Sequence, residues 1–177
     1  MRARVGVTAI AIVAAFGAGC ATMQPPSAQA RADLLPKSGS SVSGAVQFAQ
    51  HGDRVYVSGE IRGLKPNAEH GFHLHERGDC SAADAMSAGG HFNPGAKPHG
   101  MFGQGEHHGG DMPNLKADAS GVAQVRVTLN AVSVSGAAAN GIIGRSIVVH
   151  RDPDDYKSQP AGNSGPRIAC AVIVAVN

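Results

Sequence analysis

The sequence predicts an all-β domain, built as an antiparallel barrel or sandwich with two large loops. Its 177 residues suffice for one domain. The 24 Gly and 10 Pro, with Val and Ala as the main apolar residues, indicate short strands joined by many turns. Nine histidines accompany 15 basic and 13 acidic residues, and seven of the nine lie between His70 and His108. That concentration of imidazoles predicts a metal site.

Residues 1–19 have the features of a secretory signal peptide of the lipoprotein type. Arg2 and Arg4 precede residues 5–18, an uncharged and mostly apolar run. The run is shorter than the roughly 20 residues of a membrane-spanning helix. Residues 17–20 (GAGC) are similar to a bacterial lipobox, in which Cys20 is lipidated and becomes the mature N-terminus. The alternative is ordinary cleavage after Ala30; we favour the lipobox because Ala30 lies far beyond the apolar run.

The charge of the processed chain excludes two classes of partner. Loss of residues 1–19 removes Arg2 and Arg4 and no acidic residue, which leaves 13 basic and 13 acidic side chains. A chain of zero net charge has no polybasic surface for nucleic acid or for anionic lipid. We therefore expect no nucleic-acid partner, and membrane contact only through the lipid on Cys20.

The remaining cysteines indicate the compartment. With Cys20 assigned to lipid, Cys80 and Cys170 form an even pair in an exported chain. Disulfides persist in oxidising compartments, so we predict a bond between these two residues and a location in the periplasm or elsewhere in the cell envelope. Two separate buried thiols are the alternative.

The chain after the signal peptide divides into two parts. Residues 20–43 are rich in Ser, Ala, Gln and Pro without periodicity, which predicts a flexible tether. The folded domain is predicted to span residues 44–177. It opens with a β-hairpin, because Val46 and Phe48 alternate with polar or small residues, residues 51–53 (HGD) supply a turn, and Val55 and Val57 alternate again.

The rest of the domain alternates between strands and irregular stretches. Strands are predicted at residues 71–75, 122–129, 146–150 and 167–176. Residues 78–116 and 151–166 are irregular and rich in turn-forming residues. Irregular stretches of this length inside a compact domain are usually functional, and the first of them carries most of the histidines.

The strand at residues 71–75 places two imidazoles side by side. Successive side chains of a strand point to opposite faces, so His73 and His75 share one face while Phe72 and Leu74 share the other. With backbones about 7 Å apart, the two histidines can converge on one metal ion. Imidazole is a good ligand for copper and zinc. Four more histidines and an aspartate that can join them lie downstream: His91, His99, His108, Asp111 and His150.

Five motifs follow one another in this part of the chain: GFHLH at residues 71–75, GHFNP at 90–94, His99-Gly100, His108 three residues before Asp111, and GPRIAC at 165–170. In this combination they resemble the copper/zinc superoxide dismutases, especially the bacterial exported ones. The resemblance covers residues 44–177. It implies an eight-stranded Greek-key β-barrel, of immunoglobulin-like sandwich architecture, with two long functional loops.

The resemblance also implies a role for each matching residue. Copper is bound by His73, His75, His91 and His150, and zinc by His91, His99, His108 and Asp111, with His91 as the bridge. Cys80 and Cys170 match the family's internal disulfide, which ties the loop to the last strand. Arg167 matches an arginine that guides the anionic substrate to copper, and Asp154 a carboxylate that links a copper ligand to a zinc ligand.

The implied activity is dismutation of superoxide to dioxygen and hydrogen peroxide. The copper ion is alternately reduced and reoxidised, and the zinc ion is structural. The resemblance favours a homodimer over a monomer. The alternatives are a non-catalytic copper- and zinc-binding envelope lipoprotein and a purely structural β-domain. Arg167 and the complete copper set favour the enzyme, because metal storage requires no anion guide.

Some residues of the histidine-rich region stand outside these motifs. His107 competes with His108 for the zinc role, and the three-residue step to Asp111 favours His108. His51 and His70 are expected to be solvated. Arg77 has no functional interpretation.

Overall fold

The computed structural model describes residues 26–176 of the chain. The predicted signal peptide and Cys20 lie outside the described residues. Over the described range, none of the helical structure is long and apolar enough to cross a membrane. The helical structure there is a single 3₁₀ turn, Met86–Ala88.

Ten strands make up the described part of the fold. They are β1 (Ala28–Pro36), β2 (Ser43–His51), β3 (Arg54–Arg62), β4 (Glu69–His70), β5 (Phe72–His75), β6 (Leu115–Lys116), β7 (Ala123–Leu129), β8 (Ser146–His150), β9 (Arg167–Val172) and β10 (Val174–Val176).

Eight of these strands form one curled antiparallel sheet, which confirms the predicted fold class. The strand order is β5-β8-β9-β1-β2-β3-β7, and β10 pairs with β1. The segments after β3 and after β7 pass between the two ends of this order, which is the long return connection of a Greek key. Strands β4 and β6 pair separately, and β4 leads through Gly71 directly into β5.

The predicted tether is wrong over residues 28–36, which form β1. Ala30, Ala32 and Leu34 are buried while the residues between them are exposed, as expected for a strand with one face on the core. The strand pairs with β2 along most of its length and with β9 at its end. The folded domain therefore includes residues well before Gly44, from at least Ala28 onward. Alanine buries little apolar surface, so an alternation built mainly from alanine has a weak sequence signal.

The predicted hairpin and the central strands are confirmed. Strands β2 and β3 pair from Ser43 to His51, with Gly52 and Asp53 as the two-residue turn. The core lies inside the curled sheet, and its largest fully buried side chains include Phe48, Phe72 and Leu74.

The last predicted strand is divided into two. Ile173 separates β9 from β10, is fully buried, and exchanges backbone hydrogen bonds with the segment before β8: Gly144 donates to Ile173 and Ile173 donates to Arg145. The strand therefore changes partners at this residue, from β8 on one side to the start of β1 on the other.

Candidate metal centre

Strand β5 is the platform of the site. Phe72 and Leu74 belong to the hydrophobic core, and His73 and His75 are fully buried on the other face. The strand pairs with β8 in antiparallel register, from Phe72 opposite Val149 to His75 opposite Ser146. His150 ends β8, so three imidazoles come together at this edge of the sheet.

The first loop, residues 76–114, lies along the free edge of β5. Phe92 N–H donates to the carbonyl of Leu74 at 2.8 Å, and Leu74 N–H donates to the carbonyl of Gly110 at 2.9 Å. Two isolated antiparallel β-bridges result, one between His75 and His91 and one between His73 and Asp111. A side chain at Gly110 would overlap the carbonyl of Leu74, so this close approach requires glycine.

Two groups of donor atoms result. The first cage consists of His73, His75, His91 and His150, and the second cage of His91, His99, His108 and Asp111. Within each cage the donor atoms all lie within 4.8 Å of one another, and every residue is buried. The structure thus brings together all seven residues for which the sequence analysis predicted metal binding.

His91 belongs to both cages. Its ring centroid lies 4.0 Å from that of His73 and 5.1 Å from that of His75 on one side. On the other side it lies 5.3 Å from His99 and 5.5 Å from His108. One imidazole therefore joins the two groups, as the shared ligand of a two-metal centre must.

Hydrogen bonds fix which nitrogen of each first-cage histidine is free. His75 and His150 donate through Nδ1 to the carbonyls of Gly89 and Gly165, at 3.0 and 3.1 Å. A carbonyl oxygen only accepts, so the Nε2 atoms of both rings carry the lone pairs. These two Nε2 atoms lie 3.4 Å apart. His73 uses Nε2 on Asp154, so its free atom is Nδ1.

The free nitrogens fit a metal ion. The Nδ1 atom of His73 and the Nε2 atom of His91 are buried and have no hydrogen-bond partner among the described residues. Buried polar atoms are nearly always paired, so unpaired nitrogens that converge with other imidazoles indicate a place for a cation. Four nitrogen donors suit copper.

The second cage converges on a single carboxylate. The Nδ1 atoms of His91, His99 and His108 lie 2.8, 3.1 and 3.3 Å from Oδ1 of Asp111. The other carboxylate oxygen accepts hydrogen bonds from the backbone N–H groups of Gly100 and His108. Three imidazoles and one carboxylate form a closed donor set of the type that holds structural zinc.

Asp154 lies between the two cages. Its Oδ2 accepts from His73 Nε2 at 2.8 Å, and its Oδ1 accepts from His99 Nε2 at 3.0 Å. Asp154 thus links one histidine of each cage and orients both rings. Gly162 packs against this carboxylate with a φ of +66°, and a methyl group there would overlap Oδ1.

Burial and hydrogen bonding set the protonation states in the metal-free chain. Burial holds the pKa of His75 and of His150 well below the ordinary histidine value, and it lowers the pKa of His91 to about 4. Burial also acts to lower the pKa of His99, but hydrogen bonds to Asp111 and Asp154 outweigh it and raise that pKa to about 9. Although burial opposes ionisation of Asp111 and Asp154, hydrogen bonds from the histidines hold their pKa values below the usual range. The first cage is therefore neutral, and the second combines a carboxylate with a cationic imidazole.

Arg167 lines a cleft that reaches His150 of the first cage. The cleft has a volume of about 460 Å³ and is lined by Arg167, His150 and residues of the second loop, 151–166. The guanidinium donates to the carbonyls of Ala85 and Gly89, at 2.8 and 2.6 Å. Because Gly89 also accepts from His75, Arg167 supports the segment that orients this ligand.

The disulfide prediction is confirmed. Cys80 and Cys170 are bonded, with their Cα atoms 5.8 Å apart. Cys170 is buried on β9 beside Ala85, Ala88 and Val148. The bond therefore attaches the first loop to the strand that begins with Arg167.

Other histidines differ in their surroundings. His107 packs on Phe102 and contacts the carbonyl of His108, outside the second cage, whereas His108 is part of it. The expectation that His70 is solvated is wrong: it is 2% exposed, and its Nδ1 donates to the carbonyl of His150 at 3.0 Å. His70 is the buried residue of β4, and a strand of two residues has no alternation in the sequence that would reveal its buried side.

Three other polar residues complete this picture. Arg77 is exposed, with Nε 3.8 Å from Glu76 Oε1, and nothing in its contacts assigns it a function. Asn114 and Gln159 both hydrogen-bond to the backbone of site residues, Asp154 and His99 respectively. Sequence analysis missed both, because a single amide side chain in a loop has no periodic or spacing signal.

Comparisons with known proteins agree with this geometry. The family model of copper/zinc superoxide dismutase (SODC) matches residues 42–173. Superoxide dismutase [Cu-Zn] 2 of Aquifex aeolicus is 42% identical over 148 residues, which cover 82% of this chain and 86% of that protein. Superoxide dismutase [Cu-Zn] of Deinococcus radiodurans is 40% identical over 171 residues, covering 89% and 90%. A crystal structure of the clock protein EA4 superposes with a TM-score of 0.75 at 37% identity, over 88% of this chain and 98% of that one.

Proposed function

The chain belongs to the copper/zinc superoxide dismutase family, and on that basis we propose that it converts two superoxide anions and two protons to dioxygen and hydrogen peroxide. The observation that carries the proposal is the sharing of His91 by both cages. A bound copper ion supplies the electron exchange by passing between Cu(II) and Cu(I), and a bound zinc ion supplies a fixed structure.

Each site residue has a specific role in the proposed reaction. His73, His75, His91 and His150 hold copper, and His91, His99, His108 and Asp111 hold zinc. Arg167 attracts the substrate anion at the mouth of the cleft, because a half-buried guanidinium is a stronger local field than an exposed one. The Nε2 atom of His91, which faces the first cage, is where a proton can be held for delivery to the product.

One experiment tests the enzyme against the non-catalytic alternative. Purified chain is loaded with copper and zinc, its metal content is measured, and superoxide decay is followed by pulse radiolysis. Chain loaded with zinc alone is the control, because it keeps the fold of the second cage without a redox ion. We expect turnover only in the doubly loaded protein. Stoichiometric metal without turnover would instead identify a metal-binding envelope protein, a function that the relatives' names do not favour.

We propose further that the chain is exported and attached to a membrane through lipid on Cys20. The disulfide fits an oxidising compartment outside the cytoplasm. Cleavage after Ala30 would cut β1 at a residue that is 1% exposed, which supports cleavage before Cys20. The mass of the mature protein from bacterial membranes tests this, with Cys20→Ser as the unlipidated control. A mature chain that begins at Arg31 would overturn it.

A homodimer is a separate proposal that rests on the family resemblance alone. Light scattering of the metal-loaded protein tests it. A monomer mass at micromolar concentration would refute it.

A further inference from the structure

The carboxamide of Gln159 pairs with the backbone of a site residue in the other loop. His99 N–H donates to Gln159 Oε1 at 2.9 Å, and Gln159 Nε2 donates to the carbonyl of His99 at 2.8 Å. Gln159 belongs to the second loop and His99 to the first. Two parallel hydrogen bonds of this kind fix both the position and the direction of the His99 backbone.

A second carboxamide makes the same pairing in the opposite sense. Asp154 N–H donates to Asn114 Oδ1 at 2.9 Å, and Asn114 Nδ2 donates to the carbonyl of Asp154 at 3.0 Å. Asn114 closes the first loop, and Asp154 lies in the second. Each loop therefore supplies one amide side chain that holds the backbone of a site residue in the other loop.

Gln159 differs from Asn114 in where its own backbone lies. Gln159, Pro160 and Ala161 line the cleft that reaches His150 and Arg167. One residue thus forms part of the cleft wall and also holds His99, a member of the second cage. Although Gln159 is exposed, its two shorter hydrogen bonds end on His99, which is 4% exposed; the third is a 3.5 Å bond from Nε2 to the carbonyl of Lys157.

We propose that Gln159 is a positioning residue that couples the zinc cage to the wall of the copper cleft. Zinc fixes His99, and the amide pair passes this order to residues 159–162. Gly162 follows the cleft-lining residues 159–161, and its N–H donates to the carbonyl of Ser158 at 2.7 Å. Gly162 also lies against the Asp154 carboxylate, so its order depends on this contact as well as on Gln159. This inference rests on the proposed zinc site and not on turnover.

The test is amide hydrogen exchange by NMR, with and without zinc as the only metal. Two amides report on the coupling: His99, which donates to Gln159, and Gly162, which directly follows the cleft-lining residues 159–161. The amide of Asp154 is an internal reference, because Asn114 and not Gln159 accepts from it. In the wild-type chain we expect zinc to slow exchange at all three.

The variant Gln159→Met keeps the length and the neutral charge of the side chain and removes both hydrogen bonds to His99, together with the longer bond to the carbonyl of Lys157. We expect zinc protection of the His99 and Gly162 amides to fall about fivefold, the effect of a net hydrogen bond, while protection of Asp154 is kept. Gln159→Glu keeps the oxygen that accepts from His99 N–H and loses the Nε2 donor. It should therefore restore the zinc protection of the His99 amide more than that of the Gly162 amide. Gln124→Met is the matched control, since Gln124 is an exposed residue of β7 that bonds Glu60 far from the site.

Two results would overturn the proposal. Wild-type protection of His99 and Gly162 in Gln159→Met would show that the amide pair carries no coupling. A wild-type chain that binds no zinc would remove the zinc site and this inference with it. Failure of dismutation alone, with zinc protection intact, would refute the enzyme and leave the coupling supported.

Discussion

His91 contacts Asp111 through Nδ1 at 2.8 Å, while Nε2 on the opposite side of the same ring is buried and unpaired among the first-cage ligands. Asp111 therefore orients the His91 ring through Nδ1, and Nε2 is left without a hydrogen bond among the described residues. Because Nδ1 faces the second cage and Nε2 faces the first, each cage can use a different nitrogen of the same ring.

Zinc binding to the metal-free chain should release a proton from His99. Its pKa, raised to about 9 by Asp111 and Asp154 against the effect of burial, exceeds the ordinary value of 6.5. Because the pKa of His99 is higher in the folded chain than in the unfolded chain, protonated His99 beside Asp111 and Asp154 stabilises the metal-free fold. This stabilisation is complete below about pH 6.5 and is lost as the pH rises through about 9. Calorimetry in buffers of different ionisation enthalpy should show release of about one proton at about pH 7.5 and less at about pH 10. Equal release at both values would contradict the assignment.

Asp154→Asn should weaken metal binding about 10- to 100-fold, the usual cost of removing a residue that orients metal ligands. His73 and His99 donate to different oxygens of Asp154, and asparagine places an NH2 donor at one of these two positions, so one of the two hydrogen bonds is lost. Competition with a chelator measures the loss for each metal. Asp53→Asn, in the exposed β2–β3 turn, is the control for a change in net charge. Unchanged affinities would show that the link between the cages is dispensable.

Arg167→Ala should slow superoxide turnover about tenfold and reduce its dependence on ionic strength, because the anion loses its local attraction. Metal content should be unchanged, since all cage residues are kept, His75 keeps its hydrogen bond to Gly89, and the disulfide still holds the first loop to β9. Arg167→Lys keeps the charge but loses the paired bonds to Ala85 and Gly89, so it should recover part of the rate. A rate equal to wild type in the alanine variant would reject the guiding role.

Cys80→Ser should lower the free energy of unfolding of the metal-free chain by ~2 to 4 kcal/mol, because the disulfide closes a long loop. Denaturant unfolding measures this, with Cys170→Ser expected to give the same value. Metal loss should also be faster, since the first loop, which carries His91, loses its covalent link to β9 and keeps only hydrogen bonds such as those from Arg167 to Ala85 and Gly89. Identical stability and metal retention would contradict both statements.

A chain that begins at Arg31 should be less stable than one that begins at Ala21, by about 1 to 3 kcal/mol. Removal of residues 28–30 takes away the buried Ala30 and two of the three residues that pair with β10. Thermal unfolding of the two metal-free chains measures the difference. Equal stability would leave cleavage after Ala30 compatible with the fold.

Much of the site could be predicted because its chemistry depends on short spacings. The two-residue step between His73 and His75 places them on one face of any strand, and the three-residue step from His108 to Asp111 brings them together within one turn of loop. The disulfide followed from counting cysteines. Strand β1 could not be predicted in this way, since its core face consists largely of alanine.

The sequence by itself determined which residues are candidate ligands, the all-β class and the disulfide, because residue type, alternation and cysteine number are local properties. Only the tertiary structure decided that His91 reaches both cages, that His70 is buried behind His150, and that Gln159 and Asn114 exchange hydrogen bonds between the loops. These contacts join residues as far as 80 positions apart. Their partners are set by how β5, β8 and the two loops pack, and no spacing along the chain encodes that.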